Sequence, residues 1–458
     1  MNRLRIMLNN RKRFVFLAAM AAVLVLLAGG ANALAFPPGY TVRCVRSYTS
    51  HTMNSSCTAT DYATIQAAVN AANPGDIILV AAGKYTESVK IDETGHNRDH
   101  ISLLGAQAGN DARIDRHDPA KESIVDASGT GNSAIIVEAE AVVIDGFTAR
   151  GATQGGCEGI DLKGSNPPAT TDANGAIVVN NILTNNSTGV SLNWEGYGPS
   201  TGTGAVLVGV LVEHNLFKTN NAGKPSVWPG YGIMTFGVQH AIITENAFYG
   251  NTSAALLMEW AQDVTISNNT SNKDAVFVDF VSTTNVVFSG NQGENFAANG
   301  VSSNPELPIG DAALSVGARN QYLVISDNCL EEGKAPISNG IAFTTVFGTS
   351  ATNTKIYVKN NRIKCFPGTG ILAESGMLTD SFILGNEVKD NHVDGIYIDD
   401  LGGNEANSLF DNEAEGNHVF DCHDDTSGNR TVNTANTWFH NTGNYVQPTG
   451  LCTREKRH

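Results

Sequence analysis

Apolar and polar residues alternate along most of this chain in short runs that end on asparagine or glycine. Nine segments place an apolar residue three positions before an asparagine: Val178 and Asn181, Val212 and Asn215, Ile243 and Asn246, Ile266 and Asn269, Phe288 and Asn291, Ile325 and Asn328, Val358 and Asn361, Ile383 and Asn386, Leu409 and Asn412. Successive asparagines lie 34, 31, 23, 22, 37, 33, 25 and 26 residues apart, so a unit of about 22 to 26 residues recurs, with insertions in some copies. Each unit holds a second alternating run, as at Gly189 to Leu192, Gly340 to Phe343 and Gly395 to Ile398. A period of two sends one set of side chains inward and the other outward.

Units this short leave no room for the helices of the larger solenoid repeats, and helical periodicity is absent from them. Several short strands per unit, joined by Asn/Gly turns, predict an all-β fold: a right-handed parallel β-helix of roughly twelve coils. Asparagine suits one turn of every coil because it tolerates left-handed backbone angles and its amide can bond to the equivalent amide one rung away. The inward Val, Ile, Leu and Phe residues then stack into one continuous core, and no single unit need be stable alone.

A solenoid needs closed ends, because unpaired strand edges invite aggregation. Thr60 or Asp61 is expected to cap a short helix bearing Ile65, Ala68, Val69 and Ala72, which stops at Asn73-Pro74-Gly75 before the first strand at Ile77 to Val80. Residues 421–458 are expected to close the other end.

Ahead of the repeats, Arg3, Arg5, Arg11, Lys12 and Arg13 precede an apolar run from Phe14 to Ala28 and small residues at Ala31, Ala33 and Ala35. This order predicts a cleaved secretory leader, with no stable membrane insertion afterwards. An uncleaved anchor is the alternative reading, although the run is shorter than the about 20 residues of a spanning helix. The chain thus divides into a leader (1–35), a segment with Cys44 and Cys57 (36–60), the β-helix (61–420) and a C-terminal cap and tail (421–458).

An extracytoplasmic setting would let the seven cysteines form disulfides. Pairs Cys44–Cys57 and Cys422–Cys452 would staple the two ends, Cys329 and Cys365 lie on successive repeats and could bridge them, and Cys157 reads as a lone buried thiol. The formal charge is −16, and loss of the five basic leader residues makes it more negative by five. Such a surface argues against nucleic acid as a partner. It also repels acidic glycans, so a polyuronate would need basic residues in its groove or a bridging cation.

The stretch from Tyr62 to Asp76, YATIQAAVNAANPGD, followed by IILVAAGKYTE from Ile77 to Glu87, resembles the N-terminal cap and first rung of pectate-lyase-like β-helix proteins. The resemblance spans roughly residues 60 to 420 and implies the fold, a monomer and a polysaccharide partner. It does not extend to activity motifs. The Asp-Pro-His of mannuronan epimerases, the Gly-His-Gly of polygalacturonases and the Arg-x-Pro-x-x-Arg of pectate lyases are all missing. Only Arg362-Ile363-Lys364 matches a polygalacturonase tripeptide.

Aligning the second run of each unit on its first apolar residue gives two outward columns. The first holds Asp161, Ser191, Met234, Leu257, Phe277, Ser315, Ala342, Leu372 and Tyr397. The second holds Lys163, Asn193, Phe236, Glu259, Asp279, Gly317, Thr344, Glu374 and Asp399, with Trp194, Trp260 and Phe280 one step further. Insertions at 165–175, 197–205, 218–230, 299–312 and 348–354 flank this strand as the walls of a groove.

In this alignment Glu259 and Asp279 are adjacent in one column and form the candidate catalytic pair. At about 4.8 Å they would repel by about 3.5 kcal/mol in an effective dielectric near 20, so one is protonated, an ion intervenes, or both splay into water. Trp194, Phe236, Trp260, Phe280 and Lys163 are the candidate substrate-binding residues, because flat aromatic faces stack on sugar rings. Glu374 and Asp399 form a second pair, read as a calcium site or as solvated carboxylates. His423, Asp424 and Asp425 are assigned to the cap, and His214 and His240 to solvated turns.

The functional reading is a secreted protein that binds polysaccharide along this groove and cleaves or modifies it as a hydrolase, lyase or epimerase. The alternative is an extracellular or cell-surface protein that binds glycan or a partner without turnover. An accessory role in extracytoplasmic metal-site assembly ranks last.

Overall fold

In the computed structural model, the described residues are 40–46, 61–93, 95, 97–114, 116, 118–164, 172–193, 206–220, 230–297, 311–334, 339–345, 351–400 and 402–454. The leader and Cys57 lie outside them. Among the described residues no helix is long and apolar enough to cross a membrane.

Each coil contributes one strand to each of three long sheets, of fifteen, twelve and thirteen strands, and the strand pairings within them are parallel. One coil runs Ile242–Thr244, Ala247–Tyr249 and Ala254–Glu259; the next runs Thr265–Ser267, Thr270–Asn272 and Val278–Val281. The molecule is a right-handed parallel β-helix, as the repeat predicts. All nine repeat apolar residues, Val178 through Leu409, are wholly buried, and they lie on successive rungs of the first sheet.

The asparagines form a buried ladder beside that stack. The Asn246 amide donates to the carbonyls of Val212 and Thr244, each at 2.9 Å, and to Asn269 Oδ1 at 3.1 Å. Its own Oδ1 accepts from the backbone and the amide of Asn215, both at 3.0 Å. The pattern runs from Asn181 to Asn412 and one rung further, to Asn441. It corrects one expectation about these turns. The left-handed backbone angles belong to the residue before each ladder asparagine, as at Asn180, His214, Glu245, Asn268 and Asp327. The ladder asparagine is required for its hydrogen bonds, which occupy backbone groups that a coil turn would otherwise leave buried and unpaired.

The helix at the N-terminal end, Ile65–Ala71, is capped by Thr64 rather than by Thr60 or Asp61: Thr64 Oγ1 accepts from the Ala67 N–H at 3.1 Å. Asp61 instead lies in a short strand beside Val42–Val45. The Glu87 carboxylate accepts from the first two helical N–H groups, at Ile65 and Gln66 (2.9 and 3.0 Å), where an anion complements the helix dipole. Val42–Val45 pairs with Ile77–Val80, so the segment set apart as 36–60 already carries a strand of the first sheet.

At the other end, Cys422–Asp424 and Val446–Gln447 extend the third sheet and Thr437–Phe439 the first, so the solenoid continues past residue 420 into the segment expected to be a cap. A Cys422–Cys452 disulfide with Cα atoms 6.3 Å apart fastens this end. Cys44 is also disulfide-bonded. Cys329 and Cys365 are free, because Cys329 faces Arg362 across the rungs and Cys365 lies three residues further on. Cys157 is a free buried thiol.

Candidate functional site

The third sheet carries the two outward columns, and its register moves one coil. Leu257 pairs with Asp279 and Glu259 with Val281, so Asp279 belongs to the first column, between Leu257 and Ser315, and does not adjoin Glu259. Phe277 points into the core, where its ring meets Phe288 and Phe296 at 5.2 and 6.3 Å. In most coils that inward position is glycine: a Cβ on Gly189 or Gly232 would lie 2.6 Å from Phe217 or 2.5 Å from Phe248. Phe277 fits because Gly293 faces it; a Cβ on Gly293 would stand 2.8 Å from the Phe277 ring.

The slip also reassigns Phe280. Its ring is wholly buried, edge-on to Phe288 at 5.8 Å, so it is a core residue and not a substrate platform. Phe236 and Trp260 do meet, with ring centroids 6.3 Å apart, and Trp260 is half-buried with a left-handed backbone. Lys163 makes a 2.7 Å ion pair with Asp161 on its own strand. Trp194 lies outside the described residues.

Glu259 and Asp279 are thus diagonal neighbours, one rung and two residues apart, a backbone separation of about 8 Å from strand spacing and rise. Both are recessed: Glu259 is 8 % and Asp279 3 % exposed. Burial pushes the Glu259 carboxyl up to about 8. Burial also raises Asp279, to about 7, with the nearby Ser315 hydroxyl on the next rung opposing the rise although it does not meet hydrogen-bond geometry. The expected cause was mutual repulsion across one rung; with the carboxylates on a diagonal, loss of water does the work instead. The buried Tyr231 phenol is pushed well above its ordinary value by burial and by the negative charge of both carboxylates, which places it within their field.

Several buried polar atoms along this strand have no hydrogen-bond partner among the described residues. Thr188 Oγ1, Ser191 Oγ, Asp279 Oδ1 and Ser315 Oγ are four of them, and the last three share one column. From Ser191 to Ser315 the column climbs four rungs, about 19 Å, with buried Met234 and Leu257 on the two rungs between Ser191 and Asp279. Buried polar atoms without partners cost about 1–3 kcal/mol each, and a cluster of them calls for an explanation such as a bound polar species. Sequence alternation does not reveal this row, because it depends on which coils share a register.

Glu374 and Asp399 occupy adjacent rungs of the second column. Thr344 Oγ1 donates to Glu374 at 2.6 Å and Ser375 Oγ to Asp399 at 3.0 Å. On the next rung His423 bridges Asp394 and Asp425, each at 3.1 Å, and stacks on Tyr397 with centroids 4.3 Å apart. His423 is therefore part of this outer face. The structure also gathers Glu213, His214 and Glu245 within ligand distance of one another. Arg113 Nη2 lies 3.2 Å from the Glu245 oxygen that His214 Nε2 also reaches at 3.2 Å, which makes the group an ion-pair network at a turn. Arg362-Ile363-Lys364 is a strand of the second sheet, apart from the third-sheet face.

No characterised protein family matches the sequence, and no curated protein matches it either. Among solved structures, the chain is similar to a mannuronic acid specific polysaccharide family 6 lyase from human gut microbiota, at 12% identity over 82% of this chain and 80% of that one, with a TM-score of 0.49. It is also similar to DFA-IIIase from Arthrobacter chlorophenolicus A6 in complex with GF2, at 13% identity over 70% and 88% of the two chains, with a TM-score of 0.44. A third is the A-module of an Azotobacter vinelandii mannuronan C-5 epimerase, at 16% identity over 84% and 89%, with a TM-score of 0.37. These likenesses are distant, and the fold stands on the chain's own three parallel sheets: it is a right-handed parallel β-helix.

Proposed function

We propose that the outer face of the third sheet binds an extended polysaccharide in an extracytoplasmic compartment and hydrolyses it, with Glu259 as proton donor and Asp279 as base. The observation that carries this reading is the recessed carboxyl pair with unpartnered oxygens at Ser191, Asp279 and Ser315 of one column, in which Met234 and Leu257 fill the two rungs between Ser191 and Asp279. Burial raises both carboxyls, Glu259 to about 8 and Asp279 to about 7, an order that casts Glu259 as the acid and Asp279 as the base.

Carboxyl groups that keep the backbone spacing of about 8 Å would leave room for a water between substrate and base, which suits inversion rather than the retaining geometry of a one-rung pair. In the step, Asp279 takes a proton from water as the water oxygen bonds to the anomeric carbon. The bond to the leaving oxygen breaks as Glu259 protonates it, and solvent exchange then resets both carboxyls. Half-buried Trp260, backed by the buried Phe236 ring, would hold a sugar beside the pair. Lyase and epimerase chemistry fits less well: among the described residues no ion pair joins Glu259 or Asp279 to a cation that could neutralise a uronate. The leader pattern and the disulfides support the compartment. Calcium enters the proposal at Glu374 and Asp399, and chelation tests it.

The test incubates the mature protein with neutral and acidic polysaccharides and measures new reducing ends, unsaturated products and the anomer first released. Loss of cleavage in both Glu259→Gln and Asp279→Asn is expected, with an inverted first product. Full activity in either variant removes this assignment. A second reading, binding without turnover, is favoured by the low exposure of both carboxyls; glycan binding with no product would establish it.

A further inference from the structure

We infer that the ligand of this face is a neutral glycan and not a polyuronate, an inference that rests on the third sheet being the polysaccharide groove. On the eight rungs from Ser191/Asn193 to Tyr397/Asp399 the two outward columns hold four carboxyl residues, Glu259, Asp279, Glu374 and Asp399, and no Lys, Arg or His. Among the described residues three of the flanking cations are held by acids, while exposed Arg319, two residues past Gly317, stands at the edge of the face. Lys90 lies 3.4 Å from Asp92 and 2.9 Å from Glu138, Lys163 lies 2.7 Å from Asp161, and His423 sits between Asp394 and Asp425.

A polyuronate laid along these columns would set one carboxylate per sugar against a face whose ionised groups are also carboxylates, inside a recess where water screens poorly. Thr188, Ser191 and Ser315 bring unpartnered hydroxyl groups to the same rungs. These pair with sugar hydroxyls at no cost in charge. The Glu259 and Asp279 carboxyls remain protonatable beside a neutral sugar, whereas a uronate would raise them further and hold both uncharged.

The experiment is calorimetric titration of the mature full chain with length-matched oligosaccharides: neutral glucans, mannans and galactans against polygalacturonate and polymannuronate. It is run in chelator and in calcium, at about 20 mM and about 500 mM salt. The best neutral ligand should bind at least tenfold more tightly than any uronate at low salt. The gap should narrow at high salt and in the Glu374→Gln/Asp399→Asn double variant. A uronate that binds as tightly as every neutral ligand, in chelator or in calcium, overturns the inference and leaves the hydrolytic reading open. Neutral binding without new reducing ends sinks hydrolysis and supports the inference. Absence of binding by both classes overturns both.

Discussion

Glu259→Gln and Asp279→Asn should each make the unliganded protein more stable in alkali while abolishing turnover. Each carboxyl is raised by burial, Glu259 from 4.5 to about 8 and Asp279 from 3.8 to about 7. The folded state therefore binds protons that the unfolded chain has released, and stability falls with rising pH between about 4 and 8. Below pH 4 both states are protonated and the groups contribute nothing. Above pH 8 the fold must hold each group charged, at a cost of about 4 kcal/mol apiece. An isosteric amide removes that cost. Urea midpoints of the mature protein at pH 5 and pH 9 check it: the variant should be more stable by about 1–2 kcal/mol at pH 5 and by about 4 kcal/mol at pH 9. Because so long a solenoid need not unfold in one step, the comparison rests on midpoints followed by the same probe. Equal offsets at the two pH values would refute the reasoning, since they would mean that neither carboxyl is desolvated in the fold.

Three further outcomes follow from the same physics. Asn246→Ala removes three donated and two accepted hydrogen bonds from a fully buried ladder and should cost about 3–5 kcal/mol, seen as a lower thermal midpoint; a loss below about 1 kcal/mol would show the ladder to be dispensable. Asp274 stands where a parallel ladder of Asn186, Asn220 and Asn251 continues, accepts from the Asn251 amide at 2.7 Å, and is raised to about 7 by burial. Asp274→Asn should accordingly stabilise the protein at pH 9 relative to pH 5, and destabilisation at pH 9 would show that the charge is needed there. Thr64→Ala should cost about 1 kcal/mol through loss of the helix cap, while Thr60→Ala should not; chemical denaturation of the two variants distinguishes the cap observed from the cap expected.

Much of the fold was readable because it is written locally and repeatedly. Val178 through Leu409 recur three residues before an asparagine, and a stack of such units has few other ways to bury them. The site was less readable, and Phe277 shows why. Glycine or alanine usually fills its inward position, so a phenylalanine there reads as an ordinary outward-alternating residue and displaces the alignment of that coil by two. Glu259 and Asp279 share one sheet, as aligned, but not one column, and Phe280 lies in the core.

By itself the sequence determined the period, the buried ladder positions and the outward strand that bears acids and aromatics, because these depend on contacts that every coil repeats. Only the tertiary structure decided which side chains meet across rungs. The space left by Gly293 admits Phe277, and that single packing match sets the register that carries Asp279 past Glu259 into line with Ser191 and Ser315. Register is a property of two coils at once, fixed by how their side chains fill shared volume, and no one coil contains it.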